Sequence, residues 1–97
     1  MAVMMHMKWH GIGAAEYDAV RKVVDWEGNP PPGGLFHIMA VGDDGISITD
    51  VWETAEQFQA FAQDRLLPGV QQLGIGGEQR IEVRPAHAVF TPGYLRK

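Results

Sequence analysis

Two ionisable residues stand in the middle of otherwise apolar runs in the segment LFHIMAVGDDGISITDVWE, residues 35–53. They are His37 in the first run and Asp50 in the second. The Gly-Asp-Asp-Gly sequence between the runs is typical of a tight β-hairpin turn. If Asp43 and Asp44 alone form the turn, His37 lies directly opposite Asp50 on one face of the hairpin. The two side chains would then be within reach of a charge-assisted hydrogen bond.

An imidazole that is oriented by a carboxylate is a general base that works near neutral pH. Such a base takes a proton from an activated phenol or from a carbon beside a carbonyl. In the sheet expected below, the first strand flanks Asp50 from the other side, and this predicts that His6 extends the pair to a His-Asp-His row. We therefore predict a catalytic group with His37 as base, Asp50 as its orienting group, and His6 or Tyr17 as a second hydrogen-bonding group.

The same residues have three other interpretations. Two imidazoles and a carboxylate suit zinc or non-haem iron in principle, but strand residues without a helical i, i+4 pair give a weak pattern, and we assign no metal. A buried His-Asp pair can also serve only to satisfy its own polar atoms and to fix the strand register. Finally, a three-residue turn with a bulge at Gly45 would put His37 and Asp50 on opposite faces and remove the pair.

The spacing of apolar residues and the turn signals predict the elements that position these side chains. In chain order they are a strand over Val3–Trp9, a helix from Ala14 to about Trp26, strands over Leu35–Val41 and Ile46–Trp52, a helix capped by Thr54, a short helical turn restarted at Pro68, and a strand over Gln79–Arg84. The order β-α-β-β-α-β is the ferredoxin-like α+β arrangement, a four-stranded antiparallel sheet with two main helices on one face. We expect residues 1–97 to form one such domain.

Both faces of the first strands carry apolar side chains. Met4 lies between Val3 and Met5, and Phe36 and Ile38 alternate with the other apolar residues of the second strand. Because two helices cover only one face, the other would expose a larger apolar patch than monomers usually tolerate. A second copy of the sheet is the simplest cover. The pattern therefore predicts a face-to-face homodimer, with Trp9 as a candidate for packing in the interface.

Aromatic residues at core spacing predict an apolar pocket between the sheet and the helices, suited to a small hydrophobic or aromatic molecule. The candidates are Trp52, Phe36, Tyr17, Phe58, Phe61 and Phe90. The methionines suit an adaptable pocket wall or interface, and the segment GNPPPGG suits a stiff pocket lip. The alternative is that these aromatic residues are ordinary core.

Composition excludes several classes of partner. Eight basic against twelve acidic residues give a net charge of −4, and no basic stripe is present, so we expect no nucleic-acid binding. No run approaches the roughly 20 apolar residues of a membrane span, and the N-terminus has no signal-peptide pattern, so a cytoplasmic location is the default expectation. The chain has no cysteine. The segment GIGGE lacks the strand–loop–helix context of a phosphate-binding loop, and we expect no cofactor.

The element order, the extra helical segment LPGVQQLG after the second main helix and the C-terminal arm PAHAVFTPGYLRK together resemble the dimeric α+β barrels. In that superfamily two ferredoxin-like sheets close into a barrel. Its members include cofactor-free antibiotic-biosynthesis monooxygenases, muconolactone isomerases, polyketide cyclases and haem-degrading enzymes. The sequence matches the functional residues of no single branch. The resemblance thus implies the fold and a choice among a monooxygenase, an isomerase and a cyclase for an aromatic or polyketide-like substrate, beside a non-catalytic ligand-binding or dimerisation module with structural histidines.

Overall fold

The computed structural model describes residues 1–93. Its elements are β1 (Val3–His10), α1 (Ala14–Val24), β2 (Gly34–Val41), β3 (Gly45–Trp52), α2 (Ala55–Phe61), a π-helical turn (Ala62–Leu66), α3 (Leu67–Leu73) and β4 (Glu78–Pro85). The strands form one antiparallel sheet in the order β2-β3-β1-β4. The predicted ferredoxin-like α+β fold is confirmed. None of the described helices is long and apolar enough to cross a membrane.

The core lies between the helices and one face of the sheet, which we call the inner face. Every second residue of β1 is buried on this face: Val3, Met5, Met7 and Trp9. They pack with the inner residues of β3 and with apolar side chains of α1, α2 and α3. Trp9 is only 2% exposed within this core, so its predicted place in a dimer interface is wrong. The reason is strand alternation, which puts Trp9 on the same face as Met5 and Met7.

The β2–β3 hairpin has the register that a two-residue turn at Asp43 and Asp44 predicts. Val41 lies opposite Ile46, and His37 lies opposite Asp50. Gly45 stays in the ladder, where an added Cβ would collide with the carbonyl oxygen of Trp9. The irregularity lies instead between Gly34 and Phe36, so Gly34 rather than Leu35 faces Trp52. The predicted register holds for the part of the hairpin that carries the histidine and the aspartate.

Helix α1 ends two residues earlier than predicted. Asp25 takes a left-handed backbone conformation with φ 57°, and its N–H donates to the Arg21 carbonyl. The Arg65 guanidinium then donates to the Val24 carbonyl over 3.0 Å, which satisfies a free acceptor at the helix end. Trp26 therefore lies beyond the end of the helix.

The second helical region is continuous, whereas the sequence predicts a restart at Pro68. Thr54 caps α2 as predicted, because its hydroxyl oxygen accepts a hydrogen bond from the Gln57 N–H. The π-helical turn follows, and in it the Leu67 N–H donates to the Ala62 carbonyl five residues back. This wider turn brings the chain to Pro68, which occupies the start of α3, where a missing N–H is tolerated.

The outer face of the sheet is apolar at one end and, apart from Ile38 and Ala40 of β2, polar elsewhere. Met4 and Phe36 both pair with Val51, which gives an apolar row across three strands. The next rows carry polar side chains from β3 and β1. Strand β4 is exposed on both faces and not only on its charged face, because Ile81 and Val83 lie beyond the cover of the helices and are 47% and 38% exposed.

Candidate active site

A cavity of about 240 Å³ lies between the inner face of the sheet and the helices. Its wall is mostly apolar and rich in aromatic rings, and Met5 and Met7 form part of it. Of the six aromatic residues predicted to line a pocket, five border it: Trp52, Phe36, Tyr17, Phe58 and Phe61. Phe36 does so beside the bulge of β2, although its pairing with Val51 puts it in the outer row. Phe90 is 87% exposed and takes no part, because it lies in the arm that follows β4. The proline-rich segment contributes Pro30 and Pro31, as predicted for a pocket lip.

The polar part of the cavity wall is a chain of four hydrogen-bonded side chains. The His37 Nδ1 atom lies 2.7 Å from Asp50 Oδ1, and His37 Nε2 lies 2.6 Å from the Tyr17 hydroxyl oxygen. The second carboxylate oxygen of Asp50 accepts from the indole N–H of Trp52 over 3.1 Å. Asp50 is 6% exposed and Trp52 3%. The His37 side chain keeps 34% exposure, so a ligand in the cavity and solvent both have access to the imidazole.

The direction of each hydrogen bond among these four side chains follows from the chemistry of the groups involved. The indole N–H of Trp52 can only donate, so Asp50 accepts from it and also from His37 Nδ1. Burial raises the pKa of the Tyr17 hydroxyl, so this group keeps its proton at neutral pH. It can donate to the lone pair on His37 Nε2. When Nε2 takes up a proton, the Tyr17 oxygen can accept from it, so only one hydrogen bond of the chain has to reverse.

Trp26 forms a roof over these groups. Its ring centroid lies 5.4 Å from that of His37 and 5.7 Å from that of Tyr17, both in tilted geometry. The segment that carries Trp26 is tied to α1, because the Arg21 guanidinium donates twice to the Glu27 carboxylate, each time over 2.7 Å. The Arg21 guanidinium also holds the pKa of Glu27 below its usual value. This ion pair fixes one edge of the cavity.

The predicted row of His6, Asp50 and His37 does not form. Met5, not His6, lies opposite Asp50, and His6 lies opposite Thr49. The His6 Nδ1 atom is 3.2 Å from the Thr49 hydroxyl oxygen, on the outer face of the sheet. Successive strand residues point to opposite faces, so a histidine between two inner methionines cannot reach the cavity. The prediction that His6 flanks Asp50 is therefore wrong.

Sequence reasoning missed the hydrogen bond that Trp52 makes to Asp50 and the place of Trp26 over the cavity. Trp52 lies two residues after Asp50 in the same strand, and this i, i+2 spacing already places the two on one face. Trp26 was placed at the end of a helix and not over the cavity. Among residues 1–93, no group of three or more His, Asp or Glu side chains is arranged to hold a metal ion.

The sequence matches no family profile and no curated protein. Solved structures do match it. SnoaB, a cofactor-independent oxygenase from Streptomyces nogalater, has a TM-score of 0.68 at 22% identity, over 91% of this chain and 95% of that chain. NE2512, a protein of unknown function from Nitrosomonas europaea, has a TM-score of 0.73 at 13% identity, over 95% of both chains. The monooxygenase of the ActVA-Orf6 gene of Streptomyces coelicolor, in complex with nanaomycin D, has a TM-score of 0.60 at 14% identity, over 95% of this chain and 92% of that chain.

At these identities the likeness establishes the fold. The ferredoxin-like fold that the resemblance implies for the protomer is confirmed. The residues of the site, and not the fold, determine the activity, because one fold supports many activities.

Proposed function

We propose that this chain, built on the fold it shares with these structures, is a cofactor-independent enzyme that removes a proton from an aromatic or polyketide-like substrate. The observation that carries the proposal is the hydrogen-bonded chain of Tyr17, His37 and Asp50 in the wall of an otherwise apolar, aromatic cavity. His37 is the base and Asp50 orients it. Tyr17 is the hydroxyl that faces the substrate and passes its proton to His37 Nε2 as it takes one from the substrate.

The reaction that fits best is a monooxygenation. Proton removal from a methylene group that is activated by a carbonyl and by aryl rings gives a carbanion whose electrons can reduce molecular oxygen. Oxygen adds at that carbon, and loss of water leaves a carbonyl group, so that CH₂ and O₂ become C=O and H₂O. SnoaB and the ActVA-Orf6 protein, which share the fold, are an oxygenase and a monooxygenase, and this supports the choice. An isomerase or a cyclase would use the same proton removal without oxygen.

The test uses dithranol, a dihydroxylated anthrone, as the probe substrate, with oxygen uptake and product absorbance as readouts. We expect wild-type protein to accelerate oxygen uptake over buffer, and His37→Gln to lose about 10²–10⁴-fold of that acceleration. Glutamine keeps a donor and an acceptor near Tyr17 and Asp50 but cannot take up the proton. Equal rates for wild type and His37→Gln would overturn the assignment of His37 as base.

A binding module without catalysis is the second candidate. Both nitrogen atoms of His37 already have partners, and no buried side-chain nitrogen or oxygen atom among the described residues lacks one. A purely structural network has the same property. Saturable binding of dithranol in a calorimetric titration, with no acceleration of oxygen uptake, would favour this candidate.

The homodimer is part of the proposal. It is supported by the apolar row of Met4, Phe36 and Val51 on the outer face and by Ile38, which is 54% exposed on the same face. A second copy that packs on this face would cover both patches. Sedimentation at micromolar concentration should give twice the chain mass of 10.7 kDa, and Ile38→Asp should shift the particle toward the chain mass. A wild-type particle of one chain mass would contradict the dimer. A cytoplasmic location stays a prediction, which cell fractionation would check.

A further inference from the structure

The second oxygen of the Asp50 carboxylate has a partner that the proposed chemistry does not use. The Trp52 indole N–H donates to Asp50 Oδ2 over 3.1 Å, while Oδ1 accepts from His37. Trp52 and Asp50 are two residues apart on the inner face of β3, and both are buried. The Trp52 ring is itself held by Phe58 and Phe61, whose centroids lie 5.6 and 5.5 Å away. The indole is therefore a rigid donor aimed at one atom.

A rigid donor at one oxygen of a carboxylate restricts how the carboxylate can turn. With the indole N–H on Oδ2, that oxygen has to be an acceptor, and the plane of the carboxylate is fixed by bonds at both oxygens. Oδ1 then faces His37 Nδ1 as an acceptor as well. The neutral imidazole consequently carries its proton on Nδ1 and turns the lone pair of Nε2 toward Tyr17. Without the indole N–H, the carboxylate could rotate so that Oδ1 no longer faces His37 Nδ1, and this would allow the other tautomer.

We propose that Trp52 is a positioning residue that holds His37 in the Nδ1–H tautomer through Asp50. This inference rests on the proposed role of His37 as base, since only the Nδ1–H tautomer presents a lone pair on the side of Tyr17. Trp52 acts through the carboxylate and not on the substrate. Its effect is on the fraction of protein whose base is ready to accept a proton.

The test is NMR of protein labelled with ¹⁵N in the histidine rings, in which the two ring nitrogens report the tautomer directly. We expect a single Nδ1–H tautomer for His37 in the wild type and a mixture of tautomers in Trp52→Phe, which keeps most of the ring and its packing. The matched control is Trp9→Phe. It removes another buried indole N–H, which donates to the Gly76 carbonyl over 3.0 Å, and it should leave the tautomer of His37 unchanged.

A second variant keeps the inference testable if Trp52→Phe does not fold. In Asp50→Asn the indole N–H should hold the amide oxygen, so that the amide NH₂ faces His37 Nδ1 and the ring changes to the Nε2–H tautomer. A single Nδ1–H tautomer in Trp52→Phe, or a mixture in Asp50→Asn, would overturn the positioning role.

Kinetics separate this inference from the proposed function. If dithranol is a substrate, Trp52→Phe should lower kcat by about 10–100-fold, the range typical of residues that orient another group, with little change in KM. If the tautomer changes as expected while the wild type shows no turnover, the proposed function fails and the positioning role stands.

Discussion

Asp50 Oδ1 accepts a 2.7 Å hydrogen bond from His37 Nδ1 across the β2–β3 pair. The aspartate is buried in the core, and the histidine that it contacts is partly open to the cavity. This relationship has consequences for stability as well as for chemistry.

Removal of the carboxylate should lower both stability and activity. Asp50→Ala leaves His37 Nδ1 and the Trp52 indole N–H without their acceptor, and a buried polar group without a partner costs about 1–3 kcal/mol. We expect a loss of that size in the free energy of unfolding, measured by urea titration. Asp64→Ala is the control, because Asp64 lies on the exposed side of the π-helical turn. If both variants lose the same amount, the buried pair has no special role in stability.

Alkaline pH should destabilise the protein through Tyr17. Burial raises the pKa of this hydroxyl above 10.0, so the unfolded chain ionises before the folded one does. The stability that comes from this difference is complete below about pH 10 and is lost as the pH rises through the pKa of the folded state. Urea titrations at pH 8 and above pH 10 should therefore show a larger loss for wild type than for Tyr17→Phe. Equal losses would mean that Tyr17 is not the group responsible.

The Arg21–Glu27 ion pair should control the opening of the cavity rather than global stability. Both side chains are exposed, so the pair contributes little to the free energy of unfolding. Glu27→Gln frees the segment that carries Trp26, and we expect faster hydrogen exchange in residues 25–33 with a nearly unchanged unfolding midpoint. Glu82→Gln, which removes an exposed pair with Arg84, is the control and should leave that exchange unaltered. Unchanged exchange in Glu27→Gln would show that other contacts fix the roof.

Gly45 should be intolerant of a side chain. An added Cβ would collide with the Trp9 carbonyl oxygen, and the backbone φ of 154° lies at the edge of the region that other residues avoid. Gly45→Ala should cost roughly 1–3 kcal/mol in the free energy of unfolding, as overpacked sites do. Gly76→Ala has open space around the new methyl group and should change the stability far less. Similar stabilities for the two variants would contradict the close approach of β3 to β1.

The fold and the group of Tyr17, His37 and Asp50 can be predicted from the sequence, because both depend on local patterns. A two-residue turn fixes the register of its own hairpin, so the pairing of His37 with Asp50 follows from local sequence if the turn contains only Asp43 and Asp44, and the structure has that turn. The element order followed from the change between strand and helix periods. The bulge at Gly34 has no comparable local signal, and it places Gly34 opposite Trp52, where a regular ladder would place Leu35.

The position of His6 required more than local sequence, because β1 and β3 are separated by the first helix and the second strand. Met5, Met7 and Trp9 alternate on the buried face of β1. This alternation alone already indicates that His6 points to the opposite, outer face. The place of Trp26 depends on the left-handed turn at Asp25, which an aspartate adopts only when its surroundings favour it. The spacing of apolar residues does not predict such a turn, because the turn depends on tertiary contacts.

The most direct measurement of the central claim is the exchange of the activated methylene protons of dithranol for deuterium, without oxygen and in heavy water. Proton removal by the site should then be visible without any later oxidation step. Wild-type protein should accelerate the exchange over buffer, and His37→Gln should not. Exchange at the buffer rate with wild-type protein that binds the probe, or equal acceleration by His37→Gln, would contradict the account of His37 as the base.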